Sequence, residues 1–174
     1  MKKIASKQQG TVLIAGLMIL LILTIMGIAT MNSSTLAEKL SGNLRDKTNA
    51  FQSAESALLD AEQWLKQQPN RPSTTAACSL PPCDVWAYGI QQDLDRKSDS
   101  WWQSNAKAFS STLYGSTSLP RYIIQEEMFI PYELSPESLS KRKGYEFYKI
   151  TSKGTGSTSD SKVYIESVYS VSFN

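Results

Sequence analysis

The feature that most constrains this chain is an uncharged run over residues 8–37, whose centre, residues 11–31, reads TVLIAGLMILLILTIMGIATM. At ~1.5 Å per residue, a helix over that centre spans about 30 Å, the hydrocarbon thickness of a bilayer. One ordinary domain offers no core large enough to enclose a helix that is apolar on all sides. Lys2, Lys3 and Lys7 precede the run, so the positive-inside rule keeps the N-terminus in the cytoplasm and carries the rest across the membrane. The run is longer than the ~7–15 apolar residues of a cleaved secretory signal, and no A-x-A-like site follows it. A retained, single-pass membrane anchor fits better.

Beyond Ala37 the apolar residues narrow to a stripe: Leu36, Leu40, Leu44, Phe51, Ala54, Leu58, Ala61 and Leu65. This is the spacing of one helical face, with Glu38, Arg45, Asp46, Glu55 and Glu62 on others. No proline interrupts residues 1–68, and Gln67-Gln68-Pro69-Asn70-Arg71-Pro72 cannot continue a helix. One helix from Thr11 to Lys66 is therefore expected, apolar over 11–31 and amphipathic over 32–67. Gly16, Gly27 and Gly42 each cost about 1 kcal/mol against alanine inside a helix. They read either as glycines tolerated by close packing or as points that bend when the surroundings change.

Residues 68–174 form the head. Cys78 and Cys83 flank Ser-Leu-Pro-Pro, and outside the cytoplasm they are expected to close a local disulfide rather than stay free thiols. Such a staple stabilises by roughly 2 kcal/mol in the loop-entropy picture. Residues 84–118 carry aromatics without clean periodicity, so irregular structure with a short helix near residues 100–110 is expected. Trp101 and Trp102 either pack onto the fold or form a contact surface. Residues 121–129, 145–153 and 162–173 alternate with β-branched and aromatic residues and read as three antiparallel strands laid on the helix stripe. Polar loops fill 131–144 and 154–160. The fold class is α+β, a long N-terminal helix packed on a C-terminal antiparallel sheet.

Chemistry is poorly supplied. The chain has no histidine and only two cysteines, which excludes Ser-His-Asp and Cys-His catalysis and a zinc site of soft ligands. No Walker A or G-x-G-x-x-G motif is present, so no enzyme activity or cofactor is expected. Asp93, Asp95 and Asp99 lack a glycine-centred calcium loop and read as a solvated acidic patch, with calcium ligation as the alternative. A net charge of +2 is too mild to suggest nucleic acid. The Lys141-Arg142-Lys143 triplet reads as a solvated loop, with a nucleic-acid or partner contact as the alternative.

Gln8-Gln9-Gly10, lodged between the lysines and the apolar run, resembles the class III leader of type IV pilins. Glu38-Lys39-Leu40-Ser41-Gly42-Asn43-Leu44-Arg45-Asp46, followed by Ala50-Phe51-Gln52-Ser53-Ala54-Glu55-Ser56-Ala57-Leu58, resembles the signature of PilX-type minor pilins. That resemblance runs over residues 8–65 and singles out Gly42, Asn43, Arg45, Asp46, Ala50, Phe51, Ala54 and Glu55. Leu119-Pro120-Arg121-Tyr122 and the segments 150–154 and 163–168 resemble C-terminal sequence of the same family.

The resemblance implies a leader over residues 1–10, cut by prepilin peptidase between Gly10 and Thr11, with N-methylation of Thr11. Loss of the three leader lysines would turn the small positive excess into near neutrality. It implies residence in the inner membrane, head outward in the periplasm, and then in the pilus at the cell surface. The implied partners are other minor pilins and pilins, together with a PilY-type tip adhesin; the implied roles are pilus assembly, adhesion and twitching motility. Most pilins carry a glutamate five residues after the cut that is thought to pair with a neighbour's N-terminal amine; here that position is Ala15. A subunit lacking the carboxylate needs no preceding partner if it is added first, which points to priming and the tip. The tip pseudopilin of type II secretion shares this departure and is the alternative; an adhesive or DNA-binding module using Trp101 and Trp102 is another.

Overall fold

The computed structural model describes residues 9–76, 82–111 and 113–173. Helix α1 runs Gln9–Lys66 without a break, two residues longer at its start than the sequence suggests. Thr24, Thr30 and Thr35 return their hydroxyls to the carbonyls of Leu20, Met26 and Met31 at 2.8, 2.9 and 2.7 Å. The hydroxyls of Thr24 and Thr30 in the apolar stretch are thereby satisfied within the helix, as a lipid environment requires.

The chain divides into two compact units, one ending at Leu44 and one beginning at Arg45. In the first, α1 is long and apolar enough to cross a membrane, and its side chains from Val12 to Met31 are open to the surroundings.

The second unit is built on a mixed sheet. Strands β1 (Thr74–Thr75), β2 (Val85–Trp86) and β3 (Lys107–Ala108) are short; β4 (Arg121–Pro131), β5 (Gly144–Thr155) and β6 (Lys162–Val171) are long. The three long strands form the expected antiparallel meander, Ile124 opposite Ile150 and Ile150 opposite Ser167. A bulge between Glu126 and Met128 shifts the β4–β5 register. The spatial order is β1-β2-β4-β5-β6, with β3 also on β4. β1 pairs β2, and β2 pairs β4, in parallel, which an all-antiparallel reading does not include. Two-residue strands leave no periodicity in a sequence.

Alternation along β4 sorts the core into two faces. Tyr122 and Ile124 meet Ala57, Ala61 and Leu65 of α1, together with Val85, Tyr148 and Ile150. Ile123 points the other way, to Trp86, Leu94, Trp102 and Ala106. That second face is covered by a 3-10 turn, Leu94–Arg96, and by helix α2, Asp99–Asn105. Of the unperiodic aromatics of residues 84–118, Trp86, Trp101 and Trp102 belong to this second face, Phe109 packs against the first, and Tyr88 and Tyr114 are exposed. α2 starts where Ser98 caps it, its Oγ accepting from Trp101 N at 3.2 Å. A helix α3, Pro136–Ser140, lies where a plain loop is expected; Ser135 caps it the same way at 3.2 Å with Pro136 in its first turn.

The buried line of α1 also differs from the predicted stripe. It runs Ala50, Ala54, Ala57, Ala61 and Leu65 with Ser53, while Phe51 is 48% exposed. The sheet approaches so closely that only small side chains fit beneath it over the first two turns of this line.

Candidate functional site

The sequence motif of α1 and the β5–β6 turn meet in one place. Gly154 lies against the backbone of Ala50 and Ala54, where a Cβ would collide with the Ala50 carbonyl oxygen and the Ala54 nitrogen. Gly156 is set in the same way against Asp46. The Asp46 carboxylate accepts from the backbone N–H of Ser157 and from the hydroxyl of Thr158. The Thr158 hydroxyl, foremost, and the Ser157 amide hold the Asp46 carboxyl below its ordinary range. Asn49 Nδ2 donates to Ser157 Oγ at 3.3 Å, and Ser157 Oγ donates to the Gly115 carbonyl at 3.1 Å. Ser116 Oγ, 3.4 Å from Ser53 Oγ, donates to the Thr155 carbonyl at 2.9 Å. Asp46, Ala50 and Ala54 are thus the seat on which two loops of the head are fixed.

The other motif residues stand outside this seat. Arg45, Phe51 and Glu55 are exposed on the second unit; Gly42 and Asn43 are exposed on the first. Gly42 has open space where a Cβ would sit, as do Gly16 and Gly27. Gly10 and Thr11 lie in the opening turn of α1, and Ala15 is exposed in the apolar stretch.

The aromatic pair divides. Trp102 is fully buried, its indole N–H donating to the Leu94 carbonyl at 3.0 Å, so it packs and offers no contact surface. Trp101 is half-buried, edge-on to Trp102 at 6.0 Å, with Lys97 over its ring. The three aspartates divide as well. Asp99 binds Lys153 and Lys162, and these two lysines, Lys153 first, keep its carboxyl ionised to lower pH than usual. Asp93 takes a left-handed backbone at φ 48° beside the 3-10 turn. Cys83 is half-buried against the Trp86–Trp102 cluster; Cys78 lies outside the described residues.

The basic triplet is not a uniformly solvated loop. Arg142 adopts φ 46° and aims its guanidinium inward, with Nε 3.0 Å from Glu146 Oε1 and Nη2 2.8 Å from Glu126 Oε1. Arg71, just past the end of α1, binds the same two carboxylates. Glu146 is 2% exposed, and the hydrogen bond that it accepts from Arg142 raises the Arg142 pKa further. Burial, with Glu146 second, pushes the neighbouring Tyr148 hydroxyl up to about 12. Lys141 and Lys143 instead meet the exposed Glu137, at 2.9 and 3.5 Å. Sequence reasoning missed this clamp because Arg71 and Glu126 lie far along the chain from Arg142 and Glu146. It missed Gly154 for a different reason: a glycine before Thr-Gly-Ser reads as the start of a turn, yet it lies inside β5.

These arrangements fix a head onto a helix and leave part of the helix motif facing outward. Comparison with known families bears on the same stretch. The PilX N-terminal family matches residues 9–59, and the family described as type IV pilus assembly protein PilX, C-terminal, matches residues 45–171. The two overlap on the turns of α1 that carry Asp46, Ala50, Phe51, Ala54 and Glu55. No curated protein and no solved structure matches the chain significantly.

Proposed function

Because the chain belongs to the PilX family of type IV pilus assembly proteins, we propose that this minor pilin primes pilus assembly and stays at or near the tip. The observation that carries the reading is Ala15, five residues from the proposed cut between Gly10 and Thr11. A carboxylate in an apolar filament core is costly unless paired, and so is an unpaired amine. A subunit without the carboxylate cannot neutralise the amine of one already in place. It loses nothing if it enters first, and in a filament that grows from its membrane end the first subunit is the tip.

The exposed apolar stretch of α1 supports the path to that position. Lipid in the inner membrane and the helices of other pilins are both apolar surroundings, so one helix serves before and after assembly. The partners proposed are prepilin peptidase at Gly10, then other minor pilins and pilins, and at the tip a PilY-type adhesin whose presentation would underlie adhesion and twitching. The head, exposed to the oxidising periplasm, is proposed to carry a Cys78–Cys83 disulfide.

The test is a deletion strain alongside a chromosomal Ala15→Glu strain. Deletion is expected to reduce surface pili and twitching, and gold labelling of the wild-type head is expected at pilus ends. Ala15→Glu is expected to move label onto the shaft or to impair initiation. Normal piliation on deletion, or label spread along wild-type shafts, would overturn the reading. Lost protein secretion with normal pili would transfer it to a type II pseudopilus.

A further inference from the structure

Between α2, the segment at 117–119 and the β5–β6 turn lies a cleft of about 390 Å³. Arg121 and Lys153 form its cationic wall with Asp99, and Thr117, Ser118 and Ser159 contribute hydroxyls. Arg121 donates from Nη1 to the carbonyls of Gln103 and Ala106 at 3.1 and 3.0 Å. Unlike Arg71 and Arg142, it meets no carboxylate among the described residues. Burial is the single influence resolved on its pKa, and it acts downward. Lys153, with 7% of its side chain exposed, shares the one Asp99 carboxylate with Lys162. Asp160 acts on Lys162 more weakly than Asp99 does. The cleft therefore holds more positive charge than its acids balance, and the excess sits on the guanidinium.

A partly buried cation without a counter-ion is costly, and a ligand that supplies one is bound correspondingly well. Two carbonyls occupy one end of the Arg121 fork, and the remaining N–H groups suit a planar carboxylate, which arginine takes in bidentate fashion. The Ser159 hydroxyl can donate to or accept from further hydroxyls, and that of Thr117, which donates to the Gly156 carbonyl, can accept. The volume falls near the lower end of the ~300–1,000 Å³ range of small-molecule sites, which fits a monosaccharide. We propose that this cleft binds a small hydroxylated ligand bearing one carboxylate, the chemistry of an acidic sugar, with Arg121 seating the carboxylate. The proposal is independent of where the subunit sits in a filament.

Full-length protein in detergent, titrated calorimetrically with glucuronate, glucose and acetate, tests it. Glucuronate is expected to bind at least about 10-fold tighter than acetate or glucose, because it alone engages both the guanidinium and the hydroxyls. Arg121→Gln is expected to weaken glucuronate by about 10-fold or more. Ser159→Trp, on the exposed turn, is expected to abolish binding by filling the cleft while leaving the circular dichroism unchanged. If Arg121→Gln fails to fold, the Ser159→Trp protein decides alone. No heat with glucuronate, equal affinity for acetate, or full binding by a folded Ser159→Trp protein would each overturn the assignment.

Discussion

Gly154 of β5 rests against the carbonyl of Ala50 in α1, closer than any side chain would permit. This contact sets how near the sheet lies to the helix, and it explains why the buried line of α1 is made of alanines at 50, 54, 57 and 61. Gly154→Ala should destabilise the protein by about 1–3 kcal/mol, since the new methyl meets backbone rather than a movable side chain. Gly42→Ala, with open space around it, should leave the melting temperature unchanged or raise it. Thermal unfolding of both variants in the same detergent checks the pair; equal melting temperatures would contradict the close approach.

Asp46 ties the β5–β6 turn to the helix, and this tie depends on its charge. Its folded carboxyl is held below the ordinary value of 3.8 by Thr158 and Ser157. A depressed acid contributes stability above the unfolded value and loses it as pH falls through the folded one. Wild type should therefore lose stability more steeply than Asp46→Asn as the pH is lowered from about 4. Denaturant midpoints from pH 5 downward would show the two curves converging; parallel curves would remove the carboxylate from the tie.

The long elements were legible because their periodicity is strong. Helix α1 and strands β4 to β6 follow from apolar spacing, from Pro69 and Pro72, and from runs such as Lys162-Val163-Tyr164-Ile165. Phe51 misled because spacing ranks residues by hydrophobicity, whereas the sheet selected the small residue one position earlier, Ala50. Helix α3 was hidden in a polar stretch, although Ser135-Pro136 is a start signal in its own right. Of the motif, sequence resemblance picked out Asp46, Ala50 and Ala54, but their partners Gly154, Gly156 and Thr158 come into view only when the chain is folded. Arg142 misled in the same way, since a Lys-Arg-Lys triplet says nothing of a positive φ that turns its middle member inward.

That inward turn makes Glu146 the most consequential acid of the head. Two guanidiniums converge on it while it is 2% exposed. Removing Glu146 leaves two partly exposed guanidiniums sharing Glu126 alone, so Glu146→Ala should cost about 2–3 kcal/mol. Lys141→Ala, whose partner Glu137 is as exposed as the lysine itself, should change stability by less than about 1 kcal/mol. Urea unfolding separates these cases by several-fold; equal small losses would show that the clamp is ornamental.

The proposed Cys78–Cys83 staple has a direct chemical test. Protein purified from the periplasmic side should resist alkylation under denaturing conditions until reduced, and then take up two labels per chain. Cys78→Ser should lower the stability of the head by about 2 kcal/mol under oxidising conditions and by much less under reducing ones. Ready labelling before reduction would dismiss the staple.

The motif residues that the fold leaves unused carry the last prediction. Ala54 is buried beneath the sheet, and a bulkier side chain there must separate helix and sheet. Ala54→Leu should lower stability by about 1–3 kcal/mol and reduce incorporation into pili as a consequence. Phe51 stands one flank away, with about half its surface open, and Arg45 and Glu55 share the exposed side. Phe51→Ser combined with Glu55→Lys should leave the melting temperature within a few degrees of wild type, because surface changes are usually small in effect. Yet if these residues meet neighbouring subunits, the same double variant should be membrane-inserted, folded and missing from sheared pili. Immunoblots of membrane and pilus fractions read the two steps separately. A double variant that enters pili at wild-type levels would show that the outward half of the motif is not an assembly surface, whereas one that accumulates in the membrane as a stable protein would place pilin contact on this face of α1.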